Sequence, residues 1–330
     1  MNEKIRLGMI GTAHAHAAGK LAVLKGSPDF ELVGVCERDA ARREARAKEK
    51  GFADVRWAAE EELLGDASVQ AIVVEGQVRE NVPAARRAVE AGKHVHLEKP
   101  GGASLAEFRE LLDEARRRKR IVQMGYMFRY NPAFELLFRA KREGWLGDIF
   151  CIRGRMGTSV NAETRRGLAE YPGGMMFELG CHLLDGIIAL MGAPVRVTPF
   201  LRADAGLPDG LADNTLAVFE FPRASAVIES AAMEVEPFPH RCLAVYGTKG
   251  TVIIEPLEPP AVQLCLSAPV AGFQKGWQRV PVENRPRYVA DFAELAACIR
   301  ASAPLSYSFE HDLTVQEALL RACGAQTEKR

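Results

Sequence analysis

Short apolar runs alternate with charged, helix-patterned stretches through the first 125 residues, and few folds accept that rhythm. The pattern predicts strands at Ile5–Ile10, Glu31–Glu37, Val69–Val74, His94–Leu97 and Ile121–Met124. Between them it predicts helices at Thr12–Lys25, at Ala40–Lys50 behind an Asp39 cap, at Asn81–Ala91 before Gly92, and from Ser104 to about Lys119. Strands separated by helical stretches of about 10–15 residues build βαβ units, and these assemble into a doubly wound parallel sheet.

From residue 126 the rhythm changes. A helix is predicted over Pro132–Glu143, ending at Gly144, and another near Met176–Met191. The remainder reads as strand after strand: Ile149–Met156, Val195–Arg202, Thr215–Phe221, Ala226–Met233, Leu243–Tyr246, Thr251–Glu255 and Val262–Ser267. Gly and Pro turns join them, as at Gly247-Thr248-Lys249-Gly250, which suggests a large, mostly antiparallel open sheet. Two helices follow, near Tyr288–Ala301 and His311–Ala325. The expected organisation is therefore α/β: one domain over residues 1–125 and an α+β domain over residues 126–330.

Composition narrows the partners. The 330 residues carry 43 basic and 43 acidic side chains, so the net charge is zero, whereas a nucleic-acid or anionic-membrane binder normally shows a basic excess. The basic run Arg116–Arg120 falls at a predicted helix C-terminus, where cations complement the dipole and stay solvated. Apolar runs fall far short of the ~20 residues that span a bilayer. Seven scattered cysteines, none at CxxC spacing, read as reduced thiols of a cytoplasmic protein.

Three short stretches carry chemistry. Gly11-Thr12-Ala13-His14-Ala15-His16 stands where a dinucleotide-binding turn belongs, after the first strand. Of the three glycines in G-x-G-x-x-G only Gly11 is kept, because Ala13 and His16 occupy the other two positions. Glu37 at the end of the second strand suits ribose hydroxyls and repels a 2′-phosphate, while neighbouring Arg38 would accept one. NAD is thus the expected cofactor with NADP possible, and a doubly wound domain without nucleotide is the alternative. Glu98, Lys99 and Pro100 follow a strand, which delivers the first two to the crevice edge. There a lysine can stabilise a developing alkoxide, although a surface ion pair is an equal reading. Glu178, His182 and Asp185 share one helical face, where a carboxylate can orient an imidazole for proton transfer. Pairing His182 with Glu178, or His94 with His96, offers two metal ligands, but catalytic zinc usually takes three and no H-E-x-x-H occurs; no metal is expected.

In order along the chain, AGKHVHLEKP, GYMFRYNPAF and GGMMFELGCHLLD make it resemble the Gfo/Idh/MocA oxidoreductases, the glucose–fructose oxidoreductase and inositol dehydrogenase group. The resemblance implies an N-terminal Rossmann domain for NAD(P) and a C-terminal domain carrying the substrate site and much of the oligomer contact. It implies a catalytic set of Lys99, His182 and Glu178, with Glu178 standing where the family's D-x-x-x-H motif has Asp. Cofactor contacts fall on Gly11, Thr12, Ala13, His14, Glu37, Arg38, Glu98 and Lys99, and substrate contacts on Tyr126, Arg129, Asn131, Arg155 and Asp185. Where the family often shows T-P-N-x-x-H after the strand, this chain has Val74-Glu75-Gly76-Gln77-Val78-Arg79-Glu80-Asn81. The expected activity is hydride transfer between NAD(P) and a hydroxyl carbon of a small polyhydroxylated sugar, cyclitol or related polyol. A lyase or glycosidase that recycles tightly bound NAD, or a non-catalytic nucleotide-linked sensor, are the alternatives. A homodimer or homotetramer is expected, with no nucleic-acid or membrane partner.

Overall fold

The computed structural model describes residues 3–325. They form two compact units, one comprising the chain up to Met127 together with Pro286–Leu313, the other Phe128–Arg285 with the chain from Thr314 onward.

The first unit is built on five parallel strands, β1 (Ile5–Ile10), β2 (Phe30–Cys36), β3 (Ala71–Val74), β4 (His94–Leu97) and β5 (Val122–Met124), in the order β2-β1-β3-β4-β5. Helices α1 (Ala17–Lys25), α2 (Ala40–Ala47), α3 (Glu60–Gly65), α4 (Val78–Glu90) and α5 (Leu105–Arg118) connect them. All four residues of β3 are buried, which is why this strand reads as an unbroken apolar run and not as an alternation. Local capping sets the helix starts. Asp39 accepts from the Arg42 amide at 2.8 Å and Ser104 from the Glu107 amide at 3.3 Å, as the sequence predicts. Helix α4 starts at Val78, three residues earlier than expected, because the Gln77 amide donates to Glu80 at 3.0 Å in a capping box. Helix α1 starts at Ala17 and not at Thr12, since the intervening residues form an extended turn.

In the second unit α6 (Pro132–Arg142) precedes β6 (Ile149–Arg155), α7 (Ala162–Leu168) and α8 (Cys181–Met191). Strands β7 (Arg196–Arg202), β8 (Asn214–Phe221), β9 (Ala224–Ala231), β10 (Cys242–Gly247), β11 (Gly250–Ile254), β12 (Val262–Leu266) and β13 (Gly276–Val280) follow. The eight strands lie in the order β13-β12-β11-β10-β6-β9-β8-β7, antiparallel except for the β6–β9 pair. One face is packed: Thr215, Ala217 and Phe219 of β8 are buried, while the intervening residues are partly exposed. On that face Gly154 of β6 lies against α8, where a Cβ would sit 2.9 Å from Leu183 Cδ1. Strand β13 and helix α7 were not foreseen. The strand is a polar edge (GWQRV), and α7 has no apolar stripe; its buried Arg165 is held by Asp209 at 2.5 Å and Asp213 at 2.8 Å.

After this sheet the chain returns. Helix α9 (Val289–Ala301) belongs to the first unit, and α10 (Phe309–Ala322) is the last helix of the described residues. The reason is apolar: Phe292, 2% exposed, packs its ring 5.9 Å from Phe30 and 4.8 Å from His96, and Gln123 of β5 donates to the Asp291 carbonyl at 3.0 Å. Replacing Phe292 by Ala removes a fully buried ring, at a cost of about 3–5 kcal/mol. Amide-exchange protection across β4 and β5 is expected to fall accordingly; protection equal to wild type would show that α9 does not hold this sheet.

Candidate functional site

Strand β1 sits between β2 and β3, so the chain leaves it in opposite directions and opens a crevice at the carboxyl ends of the strands. A cavity of about 300 Å³ fills that position, lined by Gly11 at the end of β1, Glu37 and Arg38 after β2, Gly76 after β3, and Asn81 of α4. Gly11 has φ of 85°, and a Cβ there would lie 2.4 Å from the Gly76 nitrogen. Only a residue without a side chain lets the two backbone segments meet this closely.

Glu37 holds the turn in place. Its Oε2 accepts from the Thr12 amide at 2.9 Å and the Thr12 hydroxyl at 2.7 Å, while Oε1 accepts from the Asp39 amide at 3.0 Å and Arg42 at 3.1 Å. Arg38 is largely exposed and pairs with Glu60 at 2.9 Å. An anionic carboxylate at this point of the cavity favours ribose hydroxyls over a 2′-phosphate. Asn81 is the better test of whether a nucleotide fits. The residue is wholly buried, it lines the cavity, and neither its amide nitrogen nor its oxygen has a hydrogen-bond partner. A buried amide is normally satisfied, so an unsatisfied donor and acceptor on a residue of the cavity wall suit a polar ligand such as a dinucleotide.

Deeper under the turn lies a set of buried charges. The Lys20 ammonium of α1 is 2.5 Å from Glu75 Oε1 and 2.5 Å from Glu98 Oε2. His16 Nδ1 lies 3.1 Å from Glu98 Oε1, and His14 Nδ1 lies 3.6 Å from the same oxygen. Burial opposes the charge on Lys20, but the two carboxylates outweigh it and raise its pKa. Burial likewise opposes ionisation of Glu98, yet His14, Lys20 and His16 together hold its carboxyl well below the usual range. Glu75, with burial as the largest influence and Glu98 beside it, is pushed up to about 7. Burial takes His16 down to about 4, so its ring is neutral near neutral pH. Lys99, 1% exposed, follows Glu98 directly, and Tyr126, 2% exposed, comes just after β5.

The second unit holds the other predicted site residues. Met176–Gly180 is a π-helical turn, so Glu178 and His182 do not sit on one continuous α-helix as expected; such turns recur at functional sites. Glu178 is half-buried in the turn, while His182 is 1% exposed with Phe128 edge-on at 5.7 Å between ring centroids. Three further candidates have protein partners of their own. Asp185 is bound by Arg129 through contacts of 2.7–3.2 Å, which pairs two buried charges of the second unit. Asn131 caps α6, accepting from the Ala133 amide at 2.9 Å and donating to the Leu257 carbonyl at 3.4 Å. Arg155 follows Gly154 on β6 and therefore points to the sheet face opposite α8, where it pairs with Glu234 at 2.9 Å.

Comparison with known proteins now decides the family. Residues 5–126 match the model of an oxidoreductase family with an NAD-binding Rossmann fold, and residues 134–253 match the GFO/IDH/MocA C-terminal domain. The chain belongs to the GFO/IDH/MocA family. As a member it is an NAD(P)-dependent oxidoreductase with an NAD-binding Rossmann fold. An uncharacterized oxidoreductase of Rhizobium meliloti is 26% identical over 326 residues, 96% of this chain and 95% of its own length. Inositol 2-dehydrogenase 1 of Saccharopolyspora erythraea is 35% identical over 152 residues, 45% of each chain. The structure of UDP-N-acetylglucosamine 3-dehydrogenase from Acidithiobacillus ferrooxidans shares the fold, with a TM-score of 0.80 at 20% identity over 97% of both chains.

For this GFO/IDH/MocA member the sequence pointed to Gly11, Glu37, Glu98 and Lys99 but passed over Lys20, Glu75, His16 and Asn81 as site residues. A lysine within the apolar stretch AAGKLAVL and a glutamate directly after AIVV were the available signals, since such charges are seldom buried without a partner.

Two substitutions separate roles. Gly11→Ala is expected to lower NAD affinity at least tenfold, because the turn must move away from Gly76; unchanged affinity in a titration would refute the close-approach argument. Asn131→Ala is expected to lower stability by about 1 kcal/mol, the usual worth of such a cap, with KM unaltered. A raised KM without loss of stability would return Asn131 to the substrate.

Proposed function

We propose that this oxidoreductase transfers a hydride between NAD and a hydroxyl-bearing carbon of a sugar, cyclitol or related polyol. The observation that carries the reading is Lys99, an ammonium held 1% exposed just beyond the carboxyl end of β4, where sheets of this type present ligands. The match to inositol 2-dehydrogenase 1 and the fold shared with UDP-N-acetylglucosamine 3-dehydrogenase support a hydroxylated ring as the substrate class.

Residues around Gly11, with the Asn81 amide, hold NAD, which when bound supplies the hydride acceptor. Lys99 donates a hydrogen bond from Nζ to the substrate oxygen and stabilises the negative charge developing there. His182 accepts the hydroxyl proton on an imidazole nitrogen, and Glu178 steers the ring. Tyr126 borders the substrate. Exposed Phe200 and Trp277, on the face of the large sheet away from α8, support self-association as a homodimer or homotetramer. Seven free thiols support a reducing, cytoplasmic setting.

Lys99→Ala and His182→Ala are each expected to fold and bind NAD while losing about 10²–10⁴-fold in kcat, the usual worth of such groups. Turnover is followed as free NADH released over a panel of inositols, sugars and sugar acids. Near-normal turnover in either variant would remove that residue from the mechanism. A product formed without net NADH would replace the dehydrogenase reading with lyase or glycosidase chemistry.

A further inference from the structure

The geometry points to a binding site for one divalent first-row transition cation in the first unit, formed by His14, His16, Glu98 and Glu75, with Lys20 as the positioning residue. It rests on the donor set itself and is independent of the substrate class proposed above.

The ligand atoms already converge. Glu98 Oε1 lies 3.1 Å from His16 Nδ1 and 3.6 Å from His14 Nδ1, and one ligand atom from each of the three residues falls within 4.8 Å of the other two. Bonds of about 2.0–2.1 Å to a zinc-sized ion place neighbouring tetrahedral ligands about 3.3 Å apart, so these separations bracket the required edge. An independent observation comes from Glu75. It is fully buried, its Oε2 has no hydrogen-bond partner, and that oxygen lies 4.0 Å from His14 Nδ1. A buried carboxylate oxygen left in this state calls for a positive or donating occupant.

Lys20 makes the arrangement directional. It binds Glu75 through Oε1 and Glu98 through Oε2, which leaves Glu75 Oε2 and Glu98 Oε1 to the two imidazoles, His16 Nδ1 lying 3.1 Å from Glu98 Oε1 and 3.2 Å from its Oε2. That is how an outer partner orients ligating carboxylates. Two carboxylates and one ammonium sum to a single negative charge, which a dication offsets. The His16 amide, which donates to His14 Nδ1 at 3.2 Å, is the contact the cation must displace. Mixed imidazole and carboxylate donors select zinc, iron, cobalt or manganese, whereas magnesium and calcium prefer oxygen alone. The imidazoles keep 11% and 14% of their side-chain surface open, against none for the two glutamates, so the ion enters from the turn.

The test uses the full chain without a polyhistidine tag, stripped with chelator and titrated with Co(II). Expected are saturation at one cobalt per chain at micromolar or tighter affinity, visible d–d bands, and displacement by Zn(II). The bands are expected to vanish in a His14→Ala/His16→Ala double variant and in Glu98→Gln, and to persist in His240→Ala, an exposed histidine of the second unit. Lys20→Gln is expected to weaken binding about 10–100-fold, as loss of an outer partner does. Circular dichroism and thermal unfolding report whether each variant is folded. Absence of saturable cobalt binding in the wild-type chain would overturn the site whatever the variants do, as would full retention of the bands in the folded double variant.

Discussion

An ammonium buried between two carboxylates organises the nucleotide end of this protein. Moving each ion out of water costs several kcal/mol, and the arrangement persists only because the partners meet at hydrogen-bonding distance. Lys20 comes from α1, Glu75 from the end of β3 and Glu98 from the end of β4, so one cation ties three elements together where the sheet opens. The turn between β1 and α1 is then constrained from both sides. Lys20 anchors it from the helix, and Glu37 clamps Thr12 from the end of β2.

That constraint explains how a degraded glycine motif still builds a nucleotide crevice. In the usual motif the third glycine lets helix and strand pack closely. Here His16 stands at that position, but the regular helix begins at Ala17 and the imidazole turns toward Glu98. The bulk is absorbed by a polar partner instead of by the helix–strand contact. Gly11, which alone survives, is the position where backbone meets backbone, and no side-chain adjustment substitutes for it.

In the second unit paired charges also join residues distant in sequence. Arg129 and Asp185 are separated by 56 positions, and nothing in their local sequence shows that they meet. Once they do, the two opposite charges offset each other within the second unit. Strand alternation sends Arg155 to the face opposite its neighbour Gly154, and the face that packs on α8 is known only from the sheet. The π turn at Met176–Gly180 escapes a reading based on 3.6-residue periodicity, because one altered turn in an apolar stretch leaves the pattern nearly intact.

By itself the sequence determined the layout: a parallel α/β half with helices capped at Asp39 and Ser104, an antiparallel half, the Gly11 turn, and the family carried by the Glu98-Lys99-Pro100 stretch. Those features rest on interactions between residues close in sequence, or on burial patterns that repeat every two or 3.6 residues, so a single chain displays them. Tertiary structure alone decided that α9 rejoins the first sheet through Phe292, that Lys20 sits between Glu75 and Glu98, and that two histidines of the turn face the same carboxylate oxygen. These depend on contacts between residues as many as 262 positions apart, as for Phe30 and Phe292, where charge and shape complementarity exist only after the chain has closed on itself.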